Sequence, residues 1–379
     1  MKMFDVYSVH DISIVAGKGS WVFDTEGTRY LDMYGGHAVI SIGHTNSDYI
    51  AAISQQINQL GFYSNSVIIE QQQILADRLG QVSGRDDYQL FLCNSGAEAN
   101  ENAFKLASYH TGRKKIISVK GAFHGRTSLA AAATDGKSIA APVNQTDNVV
   151  FTPLNDIPAL ERTFAELKGQ VAGIILEAIQ GVAGILPATD EYIRAVRRLC
   201  NEYGAVYIAD EIQCGCGRTG SYFATDWAHV QADVYTMAKG IGNGFPMGAL
   251  AIAPHIEPRK GMLGTTFGGN QLACAAATAV ATVIERDSLI GNAIEMGEYL
   301  MDGLGNIHGI KEVRGKGLMI GVELNPDFES TAQRLLFNEK VFVGSAGPHV
   351  IRLLPALNIT REEADIALAA IRKVLTPSC

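Results

Sequence analysis

The sequence predicts an α/β protein built on a large, mostly parallel seven-stranded sheet, with a smaller α+β part drawn from both chain ends. Three observations lead there. From about residue 88, short and nearly continuous apolar runs alternate with helical stretches, the pattern of parallel strands covered on both faces. After about residue 292 this alternation gives way to mixed strands and helices. The 379 residues, 47% hydrophobic and 18% charged, are enough for a large core and two domains.

In chain order, Trp21 to Asp24 and Arg29 to Asp32 read as a hairpin turning at Gly27. Residues 48–60 place Ile50, Ile53 and Ile57 on one helical face, and a second helix covers 70–79. Strands follow at 89–93, 115–119, 149–152, 172–177, 205–209, 233–237 and 249–253. Helices fall between several of them, at 97–110, 156–167 and 191–203. The helix 271–286 is rich in alanine, which permits close packing. Beyond it, helices at 294–304 and 362–375 flank strands at 318–324, 341–343 and 350–353. The expected division is a large domain over 46–290 and a C-terminal small domain over 291–379, joined by an N-terminal segment, 1–45.

Composition excludes several classes. A net charge of −8 argues against non-specific nucleic-acid binding, which needs a basic face. No apolar run is long enough to predict a membrane span. The opening MKMFDVYSVHD has no apolar signal region, and six Cys in a chain this long are not a disulfide framework, so a cytoplasmic location is expected. Cys214 and Cys216 form C-x-C with no second pair nearby, which does not make a zinc site.

Two strands end in a charge. Residues 205–209 run into Asp210 and Glu211, and 234–238 run into Lys239. Ligands of open α/β sheets sit at the carboxyl ends of the strands. A carboxylate and an amine there suit a cofactor with a cationic ring nitrogen and an aldehyde, which is pyridoxal phosphate. A lysine after a strand is by default a solvated loop residue. The following turn, with Gly240, Gly242, Gly244 and Pro246, instead lets backbone and ligand approach closely.

Other motifs gain meaning beside that pair. Ser95-Gly96-Ala97-Glu98 opens a helix and matches a capping box; with a phosphate-bearing cofactor expected, the same N-terminus is a phosphate site. Phe123 and Arg126, in a strand-end loop, suit stacking on a planar ring and gripping a carboxylate. Thr265 and Thr266 precede the Ala-rich helix, where a cap and a phosphate contact are equally good readings. Gly215 to Gly220 spells G-x-G-x-x-G, but late in the chain and with no clear helix after it, so it reads as a turn rather than a dinucleotide site. H-E-x-x-H, a Walker loop and G-x-S-x-G are absent.

In joint order and spacing, these stretches resemble the class III aminotransferases, pyridoxal phosphate enzymes of fold type I, and most of all the acetylornithine and ornithine branch. The likeness runs from Trp21 to Asn358. It implies that Lys239 is the Schiff-base lysine and proton carrier, Asp210 the ring-nitrogen partner and Gln213 a neighbour of the ring hydroxyl. Ser95, Gly96 and Ala97 would hold the phosphate and Phe123 would stack on the ring. Thr266 would reach the phosphate of a neighbouring subunit, which implies a homodimer with shared sites. Arg126 and Arg352 would take substrate carboxylates, with Thr265 near the substrate. The implied activity is transfer of the δ-amino group of an N-acylornithine to 2-oxoglutarate in arginine biosynthesis. Alternatives are a 4-aminobutyrate or other ω-amine transaminase, or a decarboxylase or aminomutase of the same fold. One position departs from the pattern: Val182 stands where the family commonly carries a Glu that pairs with the arginine matching Arg352. That departure points to a donor with a larger or acidic N-acyl group, such as succinyl.

Overall fold

Strands with no polar side to offer must be covered on both faces, and that requirement shapes the centre of the molecule. The computed structural model describes residues 1–136, 138–325 and 330–376. Strands β1 (Ile14–Lys18), β2 (Trp21–Asp24) and β3 (Arg29–Asp32) come first. Next are β4 (Gln89–Cys93), β5 (Lys115–Val119), β6 (Val149–Thr152), β7 (Val171–Leu176) and a short pair, β8 (Ile179–Gln180) and β9 (Leu186–Pro187). Strands β10 (Val206–Asp210), β11 (Val234–Met237) and β12 (Gly248–Ile252) complete the large sheet.

Its seven strands lie in the order β4-β12-β11-β10-β7-β5-β6. The sheet is mostly parallel, as expected; β12 alone runs antiparallel to its neighbours. Alternate residues feed two cores. Val206 and Ile208 pack with the helix Gly96–Thr111, through Ala99, Ala103 and Phe104. Tyr207 and Ala209 pack on the other face with the helices Ile157–Glu166, Asp190–Tyr203 and Gln271–Arg286. These helices start where side chains satisfy free N–H groups: Asp156, Thr189 and Asn270 each accept one.

The remaining strands are β13 (Ile310–Lys316), β14 (Met319–Leu324), β15 (Val341–Phe342), β16 (Gly344–Ala346) and β17 (Val350–Leu353). They form an antiparallel sheet, β13-β14-β17-β16, while β15 pairs with β3 and so ties the N-terminal hairpin to the C-terminal residues. Leu31, Met33 and Ile42 share a core with Leu289, Leu300, Ile320 and Ile351.

Some elements depart from expectation. Strand β13 carries Lys311, Glu312, Arg314 and Lys316 and is at most half-buried, so no apolar run announces it. Strand β1 is nearly all exposed, and the helices Ser128–Ala132 and Thr331–Glu339 are short. The helix expected from residue 294 begins at Leu289. The helix Ser47–Gln59 has the expected period, yet Ile50 and Ile57 are exposed, so its apolar stripe is not covered within one chain.

The G-x-G-x-x-G stretch is a turn, as expected, and it is bonded to residues far along the chain. Buried Arg218 donates to the carbonyls of Leu318 and Pro355, and its own carbonyl accepts the Leu318 N–H. Gly317 sits directly on the Arg218 backbone, and Gly297, in the helix Leu289–Gly305, sits directly on Gly317. A Cβ on Gly297 would lie 2.2 Å from the Gly317 carbonyl oxygen. Replacing glycine by alanine inside a helix is normally favourable. Here the sign reverses: Gly297→Ala is expected to cost about 1–3 kcal/mol through overpacking, read as a lower midpoint in thermal or denaturant unfolding.

Candidate active site

The carboxyl ends of β5, β7, β10 and β11 and the start of the helix Gly96–Thr111 surround one cavity of about 420 Å³. Among the residues expected to act together, Ser95, Gly96, Ala97, Phe123, Arg126, Val182, Asp210, Gln213 and Lys239 all line it.

Asp210 is the last residue of β10 and is buried. A carboxylate so placed needs donors. Asn100 Nδ2 gives one at 2.8 Å, His124 Nδ1 another at 2.7 Å, both to Oδ2; the Ile212 N–H donates to Oδ1 at 3.1 Å. Asn100 also donates to the His124 carbonyl at 2.8 Å, closing a ring of polar contacts. His124 Nε2 is buried with no partner among the described residues.

Lys239 follows β11 and Ala238, with its backbone in the left-handed region at φ 46°. Such a conformation in a residue other than glycine costs about 1 kcal/mol or more and marks a constrained position. The side chain has no hydrogen bond or ion pair with a described residue. Burial lowers the pKa of its amine, with Arg352 adding to the effect and Asp210 and Glu177 opposing it.

At the helix start, Ser95 Oγ accepts the Glu98 N–H at 3.2 Å, which is half of the expected capping box. The other half is displaced by one residue: the Glu98 carboxylate takes the N–H of Asn94, not of Ser95. Gly96 and Ala97 are the first two helical residues, so their N–H groups have no partner inside the helix. Gln213 is fixed by close approach. A Cβ on Gly181 would fall 1.9 Å from its Oε1, an atom that is buried without a partner among the described residues.

Arg352, Thr265 and Thr266 do not line the cavity. Arg352 is buried just behind it, donating to the Gly181 carbonyl at 3.2 Å and to Tyr34 Oη at 2.8 Å. Both acceptors are neutral, and no carboxylate among the described residues pairs with it. Thr265 Oγ1 accepts from Asn94 Nδ2 and from the Gly268 N–H, while Thr266 is exposed.

Sequence reasoning missed four further groups: Asn100, His124, Glu177 and the Tyr34–His37 pair. Strand β7 ends at Leu176, one residue earlier than expected, which leaves Glu177 in the cavity wall. Burial pushes its carboxyl up to about 7, against the pull of His124. Tyr34 Oη lies 2.9 Å from His37 Nδ1 across a left-handed turn, Gly35 to Ala38, with φ 55°, 53°, 75° and 59°. The two consecutive glycines were its only sequence signal.

Residues 5–375 match the family model described as aminotransferase class-III. The acetylornithine aminotransferase of Bacillus cereus is 37% identical, over 98% of this chain and 97% of its own length. The ornithine aminotransferase of Toxoplasma gondii, whose active site is partially occupied by PLP, superposes with a TM-score of 0.91 at 29% identity, covering 97% of this chain and 90% of that one. The N-acetylornithine aminotransferase of Stenotrophomonas maltophilia gives 0.83 at 32% identity, with 97% and 96% covered. The chain belongs to the class III aminotransferases. It is a transaminase of fold type I, and its cofactor is pyridoxal phosphate.

The cavity fits that cofactor. Its size is that of a small-molecule site. An anionic Asp210, two free N–H groups at a helix start and an unpaired amine complement a cationic ring nitrogen, a phosphate and an aldehyde. Gly181→Ala is expected to displace Gln213 from this cavity. Turnover should fall by roughly 10–100-fold while the unfolding midpoint moves by no more than a few degrees.

Proposed function

We propose that this chain transfers the δ-amino group of an N-acylornithine to 2-oxoglutarate, a step of arginine biosynthesis. The observation that carries the reading is Lys239 and Asp210 meeting in one cavity of a chain 36–39% identical, over nearly its full length, to several acetylornithine aminotransferases.

Each residue has a task. When bound, pyridoxal phosphate supplies an electron sink for the carbanion at the donor carbon. Lys239 is the amine that would hold the cofactor aldehyde, and its Nζ would carry the proton moved at the donor carbon. Its lowered pKa favours the neutral amine both steps need. Asp210, its carboxylate taken by three donors, would pair with the ring nitrogen and favour its protonated form. Ser95, Gly96 and Ala97 hold the phosphate at the helix start. Phe123 would cover one face of the ring, and Gln213, whose Oε1 is buried with no partner among the described residues, would approach the ring hydroxyl. Donor and acceptor use the cavity in turn, which is ping-pong kinetics.

Arg126 and Arg352 take the carboxylates. Arg126 is exposed at the rim, its guanidinium 5.7 Å from the Phe123 ring centre. Val182 lines the cavity beside Gly181, the residue whose carbonyl holds Arg352. A valine there cannot mask Arg352 with a negative charge, and it leaves room for an acidic acyl group such as succinyl.

The working unit is a homodimer with shared sites. Its support is an exposed apolar surface that includes Ile50, Ile57, Phe62, Tyr63 and Phe267, the last next to Thr266. Thr266 would reach the phosphate of the second subunit, and Thr265 would lie near the substrate. Residues 46–290 form the cofactor-binding domain, 1–45 and 291–379 the smaller one, and the enzyme works in the cytoplasm.

Purified protein supplied with cofactor should absorb at roughly 400–430 nm; Lys239→Ala should abolish that band together with turnover, and retained turnover would overturn the assignment. Val182→Glu should shift preference from succinylornithine toward acetylornithine by about tenfold in kcat/KM, and an unchanged ratio sinks the acidic-acyl reading.

A further inference from the structure

Among the described residues, Glu177 is the one buried carboxylate in the cavity wall besides Asp210, and the transamination steps leave it without a task. Its two oxygens are committed separately. Oε1 accepts the Phe123 N–H at 2.8 Å, and Oε2 accepts the Gly181 N–H at 3.1 Å. The other side of the Gly181 residue, its carbonyl, accepts from Arg352 at 3.2 Å. A Cβ on Gly181 would fall on the Gln213 amide, so the space beside this residue is already taken.

We propose that Glu177 is a positioning residue that ties the aromatic wall at Phe123 to the carboxylate-binding Arg352 through these two backbone N–H groups. The bonds run from Phe123 N–H to Glu177, from Glu177 to the Gly181 N–H, and from the Gly181 carbonyl to Arg352. Only a carboxylate completes the chain. A carboxamide has one acceptor and would turn its NH₂ against the second N–H donor. A protonated carboxyl has the same defect. Burial places that proton within reach of ordinary pH, since the group sits at about 7. The charged and titratable groups facing it are His124, Asp210, Lys239, Arg352 and Cys214. The sign follows: the tie is complete above about 7 and is lost as pH falls below it. The plainer alternative is that Glu177 only fastens the loop after β7, a stability role that would not link the cofactor to substrate affinity.

The inference rests on the reading that Arg352 receives a substrate carboxylate. Its test uses the holoenzyme and 2-oxoglutarate without an amino donor. Two quantities are read: the 2-oxoglutarate Kd by calorimetry, and the visible circular dichroism of the bound cofactor, which reports on the wall around it. In the unaltered enzyme, Kd should weaken by about tenfold from about pH 8 to about pH 6, a range in which the ligand stays ionised. At about pH 8, Glu177→Gln should weaken Kd by about tenfold, remove most of the pH dependence and change the dichroic band. Arg352→Lys should weaken Kd and leave the band unchanged. If Arg352→Lys weakens binding but Glu177→Gln binds as tightly as the parent or more tightly, the tie is wrong and the reading of Arg352 stands. If Arg352→Lys leaves Kd unchanged, the reading of Arg352 fails and takes the tie with it. Should Glu177→Gln not fold, the parent enzyme decides: a flat Kd over that pH range overturns the proposal.

Discussion

The structure turns on one buried anion. Asp210 ends a strand with neighbours on both sides, where an unpaired carboxylate would cost several kcal/mol. Its donors come from a helix interior, from the loop after β5 and from its own chain two residues on. Holding that charge therefore fixes the rotation of the helix Gly96–Thr111 and the path of the loop through His124. The same helix begins with the free N–H groups of Gly96 and Ala97, and Gly96 is four residues before Asn100. At 1.5 Å per residue these points are about 6 Å apart along the axis, the scale of a pyridine ring and its phosphate arm. One rigid helix thus spaces the two ends of the cofactor site.

The electrostatics of the cavity lean toward an anionic guest. Burial raises the Glu177 carboxyl, and it lowers both the Lys239 amine and the Arg352 guanidinium. Each shift penalises the charged form, which is how a low-dielectric pocket resists unpaired charge. Arg352 meets only neutral acceptors, and Arg126 stands at the rim. A bound phosphate and the carboxylates of a substrate supply negative charge that the protein alone leaves short.

Much of this was legible in the chain. The strands of the large sheet could be read because apolar runs longer than chance have few other uses. Lys239 and Asp210 stood out as charges closing such runs. The helpers did not. Asn100 lies inside a helix, where a polar residue usually means a solvated face, and His124 is one polar letter in a loop. Glu177 looked like the end of a strand, and nothing local marked it as part of a cavity wall. Arg352 was singled out by resemblance alone, since a lone arginine in a strand carries no local signal. The period of Ser47–Gln59 was clear, but period does not say what covers the stripe, and Ile50 and Ile57 remain open to solvent. Tyr34 and His37 depend on a run of left-handed residues, two of which are not glycine, and no propensity rule anticipates that.

The glycine seam at Gly297, Gly317 and Arg218 bears on how the molecule moves. Hinged domains rotate about a few residues that absorb changes in φ and ψ, and sheared ones slide on layers of side chains. This seam offers neither, because backbone is seated on backbone and Arg218 is bonded to carbonyls across the join. Around Arg218 the turn and the strands from the C-terminal residues are seated as one piece. Any opening of the cavity is then expected at its margin, where Arg126 lines it and is exposed together with Thr127 and Ser128.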